Sequence, residues 1–123
     1  MTDEKRQKVK ELRKYLAGLN VVQRQEIADK YGIVTVEGHR LSIVNMCLLV
    51  SQCPGVTVVG GYRQWLRAGR QVRKGEHGHI IWFPAGRKDD DGNIESGQEI
   101  KYYLATVFDV SQTDPVEVAA AVA

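Results

Sequence analysis

The chain has 123 residues, 43% of them hydrophobic and 26% charged, with a formal net charge of +2. That length accommodates one domain with enough chain to bury a core without disulfide or metal staples, and the composition excludes a wholly disordered chain. No apolar run approaches the ~18 residues of a membrane helix, and the charged start Met1-Thr2-Asp3-Glu4-Lys5-Arg6 is unlike a secretory signal, so a cytoplasmic protein is expected.

From Thr2 to about Ala17 the pattern is an amphipathic helix. Val9, Leu12, Leu16 and Leu19 recur at helical spacing, with Lys and Arg on the other face. Thr2 or Asp3 can cap its start and Gly18 its end. Asn20-Val21-Val22-Gln23 has the form of a capping box, opening a second helix with Ile27, Ala28 and Tyr31 on its apolar side and Gly32 as its stop. Gly32 to Leu41 alternates weakly around Glu37-Gly38 and reads as a short hairpin. Ser42 caps a third helix reaching about Gln52, apolar nearly all round and therefore expected inside the fold; Pro54-Gly55 breaks it.

Val56 to Val59 is a short β-type run, and Gly60-Gly61 leads into a fourth helix, Tyr62 to Ala68, ended by Gly69. His79 to Pro84 and Glu99 to Val110 are the strongest strand candidates, and the polar stretch Ala85 to Gln98 suits a long hairpin connection between them. Thr113-Asp114-Pro115 and the alanine-valine tail are expected to be frayed or helical. Helices followed by antiparallel strands predict the α+β class: N-terminal helices packed on a small antiparallel sheet with a long β-hairpin, and no βαβ crossover. The expected organisation is one domain, with a helical extension over 1–38, a core over 39–113 and a flexible tail over 114–123.

The net charge is too small to identify a nucleic-acid binder, but its distribution is informative. Between Tyr62 and His79 lie Arg63, Arg67, Arg70, Arg73 and Lys74 against a single acid, Glu76. Arg63 and Arg67, four apart, share a helix face. Arg70, Arg73 and Lys74 follow in what reads as a glycine-punctuated loop, where the backbone can approach a phosphate. Tyr62 and Trp65 bring flat aromatic surfaces to the same stretch. Single strands are bound by this combination, with cations tracking the backbone and rings stacking on exposed bases. The competing reading is a solvated basic face with Trp65 in the core. Period-two alternation places Trp82 opposite Phe83 and Tyr102 opposite Tyr103, so an exposed Trp82 or Tyr103 would add a stacking platform.

Other chemistry is poorly supported. Cys47 and Cys53 read as small buried hydrophobes. Glu76-His77-Gly78-His79 lacks the spacing of a zinc motif, and His39 is far away in sequence. Asp89 to Asn93 resembles a calcium loop, but with Asp89 as first ligand Ile94 stands at the sixth position and Ile100 at the twelfth. No nucleophile elbow or phosphate-binding loop is present, so neither catalysis nor a cofactor is expected.

Five segments in order carry a family resemblance. They are Leu41-Ser42-Ile43-Val44-Asn45, Leu48 to Pro54, Thr57 to Trp65, Gly69-Arg70-Gln71-Val72-Arg73-Lys74-Gly75-Glu76, and Val107 to Thr113. The series, from about His39 to Thr113, resembles the N-terminal domain of ArdC-type antirestriction proteins, found on conjugative plasmids and other mobile elements. The resemblance implies single-stranded DNA as the partner, through the basic segment Gly69 to Glu76, and draws attention to Ser42 and Asn45, as DNA contacts or as a helix cap and a buried amide. His77 stands where relatives often carry lysine, which lowers the charge near pH 7. Longer relatives continue into a metallopeptidase-like domain with a His-Glu-x-x-His motif; this chain has none, so no protease activity is expected of it. The expected function is single-stranded DNA binding with weak sequence selectivity, in protecting or transferring plasmid DNA. The alternative is a protein-interaction module that inhibits a host nuclease through the same basic surface. The residues expected to bind are Arg63, Arg67, Arg70, Arg73, Lys74, Tyr62, Trp65, Asn45, His77 and Trp82.

Overall fold

The structure, a computed structural model, describes residues 3–85 and 101–116. In chain order its elements are α1 (Asp3–Ala17), α2 (Val21–Tyr31), β1 (Val34–Thr35), α3 (Ile43–Gln52), β2 (Val58–Gly60), α4 (Tyr62–Arg67), β3 (Arg70–Val72), β4 (His79–Ala85), β5 (Lys101–Asp109), a 3₁₀ turn (Val110–Gln112) and β6 (Thr113–Pro115). The class is α+β: four helices, a mixed four-stranded sheet in the order β1-β2-β5-β4, and a two-stranded antiparallel sheet of β3 and β6.

The helix boundaries follow local chemistry. Gln23 N–H donates to Asn20 Oδ1 at 2.8 Å and Asn20 N–H to Gln23 Oε1 at 2.9 Å, a reciprocal box that satisfies two orphan donors of α2. Ser42 Oγ accepts from Asn45 N–H at 3.2 Å and starts α3. As its composition requires, α3 is central, with Asn45 to Leu49 all buried. Met46 and Leu49 pack with Ala28, Ile33, Val56, Val59 and Val107. On its other side Cys47 and Leu48 pack with Val9, Leu12 and Leu16 of α1 and Ile80 of β4. Both cysteines are free thiols, Cys47 buried and Cys53 partly so. Burial pushes both thiols above their ordinary pKa, keeping them neutral.

Four expectations need correction. The sheet is mixed: β1 runs parallel to β2, and α3 between them makes a short βαβ crossover. With two and three residues, these strands are too short to show the patterning that marks a crossover. The turn at Glu37-Gly38 closes, with Val34 bridged to Arg40, but the strand it supplies joins β2 and not a free-standing hairpin. Arg70 to Val72 is strand, and Thr113 to Pro115 is its partner, in the register Arg70↔Pro115 and Val72↔Thr113. The basic segment is thus a β-ribbon where a loop was expected, and residues 113–115 are sheet where a frayed or helical tail was expected. The β4–β5 pairing runs from His79↔Val107 to Ala85↔Lys101. The connection after Ala85, with its calcium-like aspartates, and the last seven residues lie outside the described residues.

β4 is an edge strand, and α3 covers its open edge with side-chain amides. Asn45 Nδ2 donates to Trp82 O at 2.6 Å while Trp82 N–H donates to Asn45 Oδ1 at 2.9 Å. Two turns along the same helix, Gln52 repeats the exchange with Ile80, at 2.7 and 2.8 Å. Each amide presents one donor and one acceptor, as a neighbouring strand would, so the edge is satisfied without one.

Candidate nucleic-acid interface

The short helix α4 stands on its tryptophan. Trp65 is 3% exposed, and its indole N–H donates to Phe108 O of β5 at 2.9 Å. Trp65 therefore leaves the set of stacking candidates. With this residue inward, Tyr62, Arg63, Leu66 and Arg67 are turned to solvent, Tyr62 at 49% and Leu66 at 43% exposure. Tyr62 and Leu66 are four apart, as are Arg63 and Arg67, so an aromatic-apolar row runs beside a cationic one. Leu66 was missed in the sequence, where its neighbour Trp65 drew attention as the larger ring.

Gly69, at φ 81°, turns the chain from α4 into β3 in a conformation that other residues adopt at a cost. Arg70 is partly buried along β6: its Nε donates to Thr113 Oγ1 at 2.7 Å and its Nη2 to Thr113 O at 3.0 Å. Arg73 donates to Asp114 Oδ1 at 3.2 Å, to Glu76 Oε2 at 3.3 Å and to Ser111 O at 2.5 Å. Both guanidinium groups thus bind β6 and the turn before it. Arg63, Arg67 and Lys74 are exposed, with no side-chain partner among the described residues. Lys74 lines a shallow groove of about 370 Å³ with Gln71, Val72, Arg73, Asp114 and Pro115.

The segment Asp109 to Thr113 locks this ribbon to the sheet. Burial opposes the charge of Asp109. Hydrogen bonds from the Ser111 hydroxyl (2.6 Å), Thr57 N–H (2.9 Å), Ser111 N–H (3.0 Å) and Val58 N–H outweigh that cost and hold its carboxyl below the ordinary pKa. Gln112 Oε1 accepts from Asp109 N–H at 2.9 Å, and its amide group donates to His77 O at 2.7 Å and Glu76 Oε1 at 3.2 Å. The turn that presents Lys74 is therefore tied down by the buried Gln112 together with Arg73. Asp-x-x-Gln was the legible sign of this box.

The remaining candidates lie elsewhere. The imidazole of His77 is exposed. Asn45 is 8% exposed and spends its amide on Trp82, as part of the scaffold that covers β4. Trp82 is partly buried against α1 and α3, with the Arg13 guanidinium 5.8 Å from its ring centre. Tyr103 is 52% exposed on β5. No group of three or more His, Cys, Asp or Glu among the described residues is arranged to hold a metal ion. No helix among the described residues is long and apolar enough to cross a membrane.

Comparison with known proteins now decides the family. The model of the N-terminal domain of anti-restriction factor ArdC matches residues 5–110. The chain belongs to that family. The match begins inside α1 and runs through β5. A curated relative, "Uncharacterized protein y4eC" of Sinorhizobium fredii (strain NBRC 101917 / NGR234), is 36% identical over 63 residues, covering 45% of this chain and 20% of that protein. Among solved structures, the antirestriction ArdC protein from plasmid R388, determined with Mn(II) bound, superposes with a TM-score of 0.54 at 20% identity. That superposition covers 76% of this chain and 40% of the R388 protein. It shows that the fold is shared. The chain thus spans less than half of either relative.

Proposed function

We propose that this domain binds single-stranded DNA with weak sequence selectivity, using the outer face of α4 and the Lys74 turn, in the protection or transfer of plasmid and mobile-element DNA. The observation that carries the reading is the composition of that face. Arg63 and Arg67, on the same short helix as the exposed Tyr62 ring, and Lys74, in the turn after β3, keep their charges free of protein partners among the described residues. Free cations give up only water and counterions to a phosphate, and a ring beside them can stack on any base. Arg70 and Arg73 act mainly by holding the ribbon in place, and Tyr103 and Trp82 offer further ring surface.

The test is fluorescence anisotropy with a labelled ~30-nucleotide strand and the matching duplex over a range of salt concentrations. Each phosphate contact contributes about −0.7 to the log–log salt slope for a single strand. R63Q/R67Q/K74Q should therefore reduce the steepness by about 2, with single strand bound more tightly than duplex. An unchanged slope in this variant moves the site elsewhere. No binding by the wild-type chain at low salt rejects the reading and favours the protein-docking alternative.

A further inference from the structure

The five cations after Tyr62 are not the sole basic surface. α1 carries Lys5, Arg6, Lys8, Lys10, Arg13 and Lys14 against Asp3, Glu4 and Glu11, and helical geometry sorts these charges by flank. Arg6, Lys10, Arg13 and Lys14 stand at i, i+4, i+7 and i+8, one stripe about 12 Å long. Glu4, Gln7 and Glu11 form a row on another flank, with Gln7 donating to Glu11 at 3.3 Å. Lys8, Glu11 and Tyr15 there line a groove with Ser51 and Gln52 of α3. Asp3, in the first turn, is the one acid on the side of the stripe.

All four cations of the stripe are exposed. Arg6, Lys10 and Lys14 have no side-chain partner among the described residues, and Arg13 lies over the Trp82 ring. The stripe therefore ends beside the one tryptophan that is not fully buried, and the residue pairing them is itself a cation. We infer that the Arg6–Lys10–Arg13–Lys14 flank of α1, with Trp82, is a second contact surface for the phosphate backbone of a single strand, separate in the fold from α4. This inference rests on the proposed function for its ligand class. Charge complementarity selects the occupant: a flank with four cations and one acid fits a polyanion.

The test uses R6Q/K10Q/K14Q, which leaves Arg13 on Trp82, beside the charge-preserving R6K/K10R/K14R. With the ~30-nucleotide strand, the glutamine variant should reduce the steepness of the salt slope by about 2 and weaken binding at 0.1 M salt roughly 10- to 100-fold. The charge-preserving variant should match wild type. Trp82 supplies a second readout, since Trp65 is buried: its emission should change on titration in wild type and not in the glutamine variant. A glutamine variant with wild-type slope and emission change, while R63Q/R67Q/K74Q is impaired, overturns this inference and leaves the α4 surface standing. Absence of wild-type binding overturns both. Melting temperatures within a few degrees of wild type establish that the exposed substitutions leave the fold intact.

Discussion

Replacing Asn45 by alanine separates scaffold from interface at a residue that sequence reasoning left open. The amide makes two hydrogen bonds, to Trp82 O at 2.6 Å and from Trp82 N–H at 2.9 Å, at a site only 8% exposed. Truncation leaves both backbone groups without a protein partner, at about 1–3 kcal/mol for each group that stays dry. Water reaching the shortened site recovers part of this, so the expected loss is about 2–4 kcal/mol. Against a typical total of about 5–15 kcal/mol that is a large share, and it lowers the melting temperature by roughly 8–15 °C for a domain of this size.

The assay is urea unfolding, read as a lower midpoint at unchanged m-value. Anisotropy on the folded variant in the cold should give DNA affinity within twofold of wild type. Asn45→Asp isolates the hydrogen bonds from the cavity. The carboxylate still accepts from Trp82 N–H but sets a charge against Trp82 O, so it should destabilise despite its near-identical volume. A loss below about 0.5 kcal/mol in Asn45→Ala refutes the edge-covering role. A tenfold loss of affinity at preserved stability would make Asn45 a DNA contact after all.

Arg70→Gln removes two charge-assisted bonds to Thr113 and should cost about 1–3 kcal/mol, with lower affinity only where the β-ribbon opens; hydrogen exchange at β3 and β6 checks this. Stability should fall with acid in two steps. Burial, then Lys8, lowers the His79 pKa, so the unfolded chain takes up the proton first and stability declines as pH drops below about 6.5. The depressed carboxyl of Asp109 contributes fully above about 3.9, and its share is lost as pH falls below that value; melting curves of His79→Gln and Asp109→Asn, each missing one step, test the assignment. Gly78→Ala should destabilise by about 1–3 kcal/mol in thermal unfolding, because a Cβ there collides with Thr106 Cγ2 and comes within 3.2 Å of Phe108.

The elements with strong local chemistry were legible. The Asn20–Gln23 box, the Ser42 cap, the all-round apolar α3 and the two long strands each announce themselves within a few residues. What was hidden depends on partners distant in sequence. β3 and β6 are three residues each and exist through pairing across about 40 positions, so neither shows a pattern of its own. The βαβ crossover escaped notice for the same reason. In the candidate site the charged segment could be located, but not which of its arginines the fold uses. Thr113 and Asp114, which occupy Arg70 and Arg73, lie in what reads as a tail. The stripe on α1 was masked differently: the three acids of the helix offset half of its six cations in a sum along the chain, and only the helical turn separates the two signs.

That partition has an energetic consequence for binding. A guanidinium already bonded to protein must exchange those bonds for phosphate, so Arg70 and Arg73 gain little from a bound strand. Under the proposed function, Arg63, Arg67 and Lys74 would exchange only water and counterions, and their contribution would appear in full in the salt slope. Charge reversal at Arg70 and Arg73 would thus weaken DNA binding chiefly by opening the ribbon, and the melting temperature would fall with it. Neutralising Arg63, Arg67 and Lys74 would weaken binding at constant melting temperature. The pair and the triad of substitutions therefore read different parts of the proposed interface, in which bound arginines hold the presenting turn and unbound cations would meet the ligand.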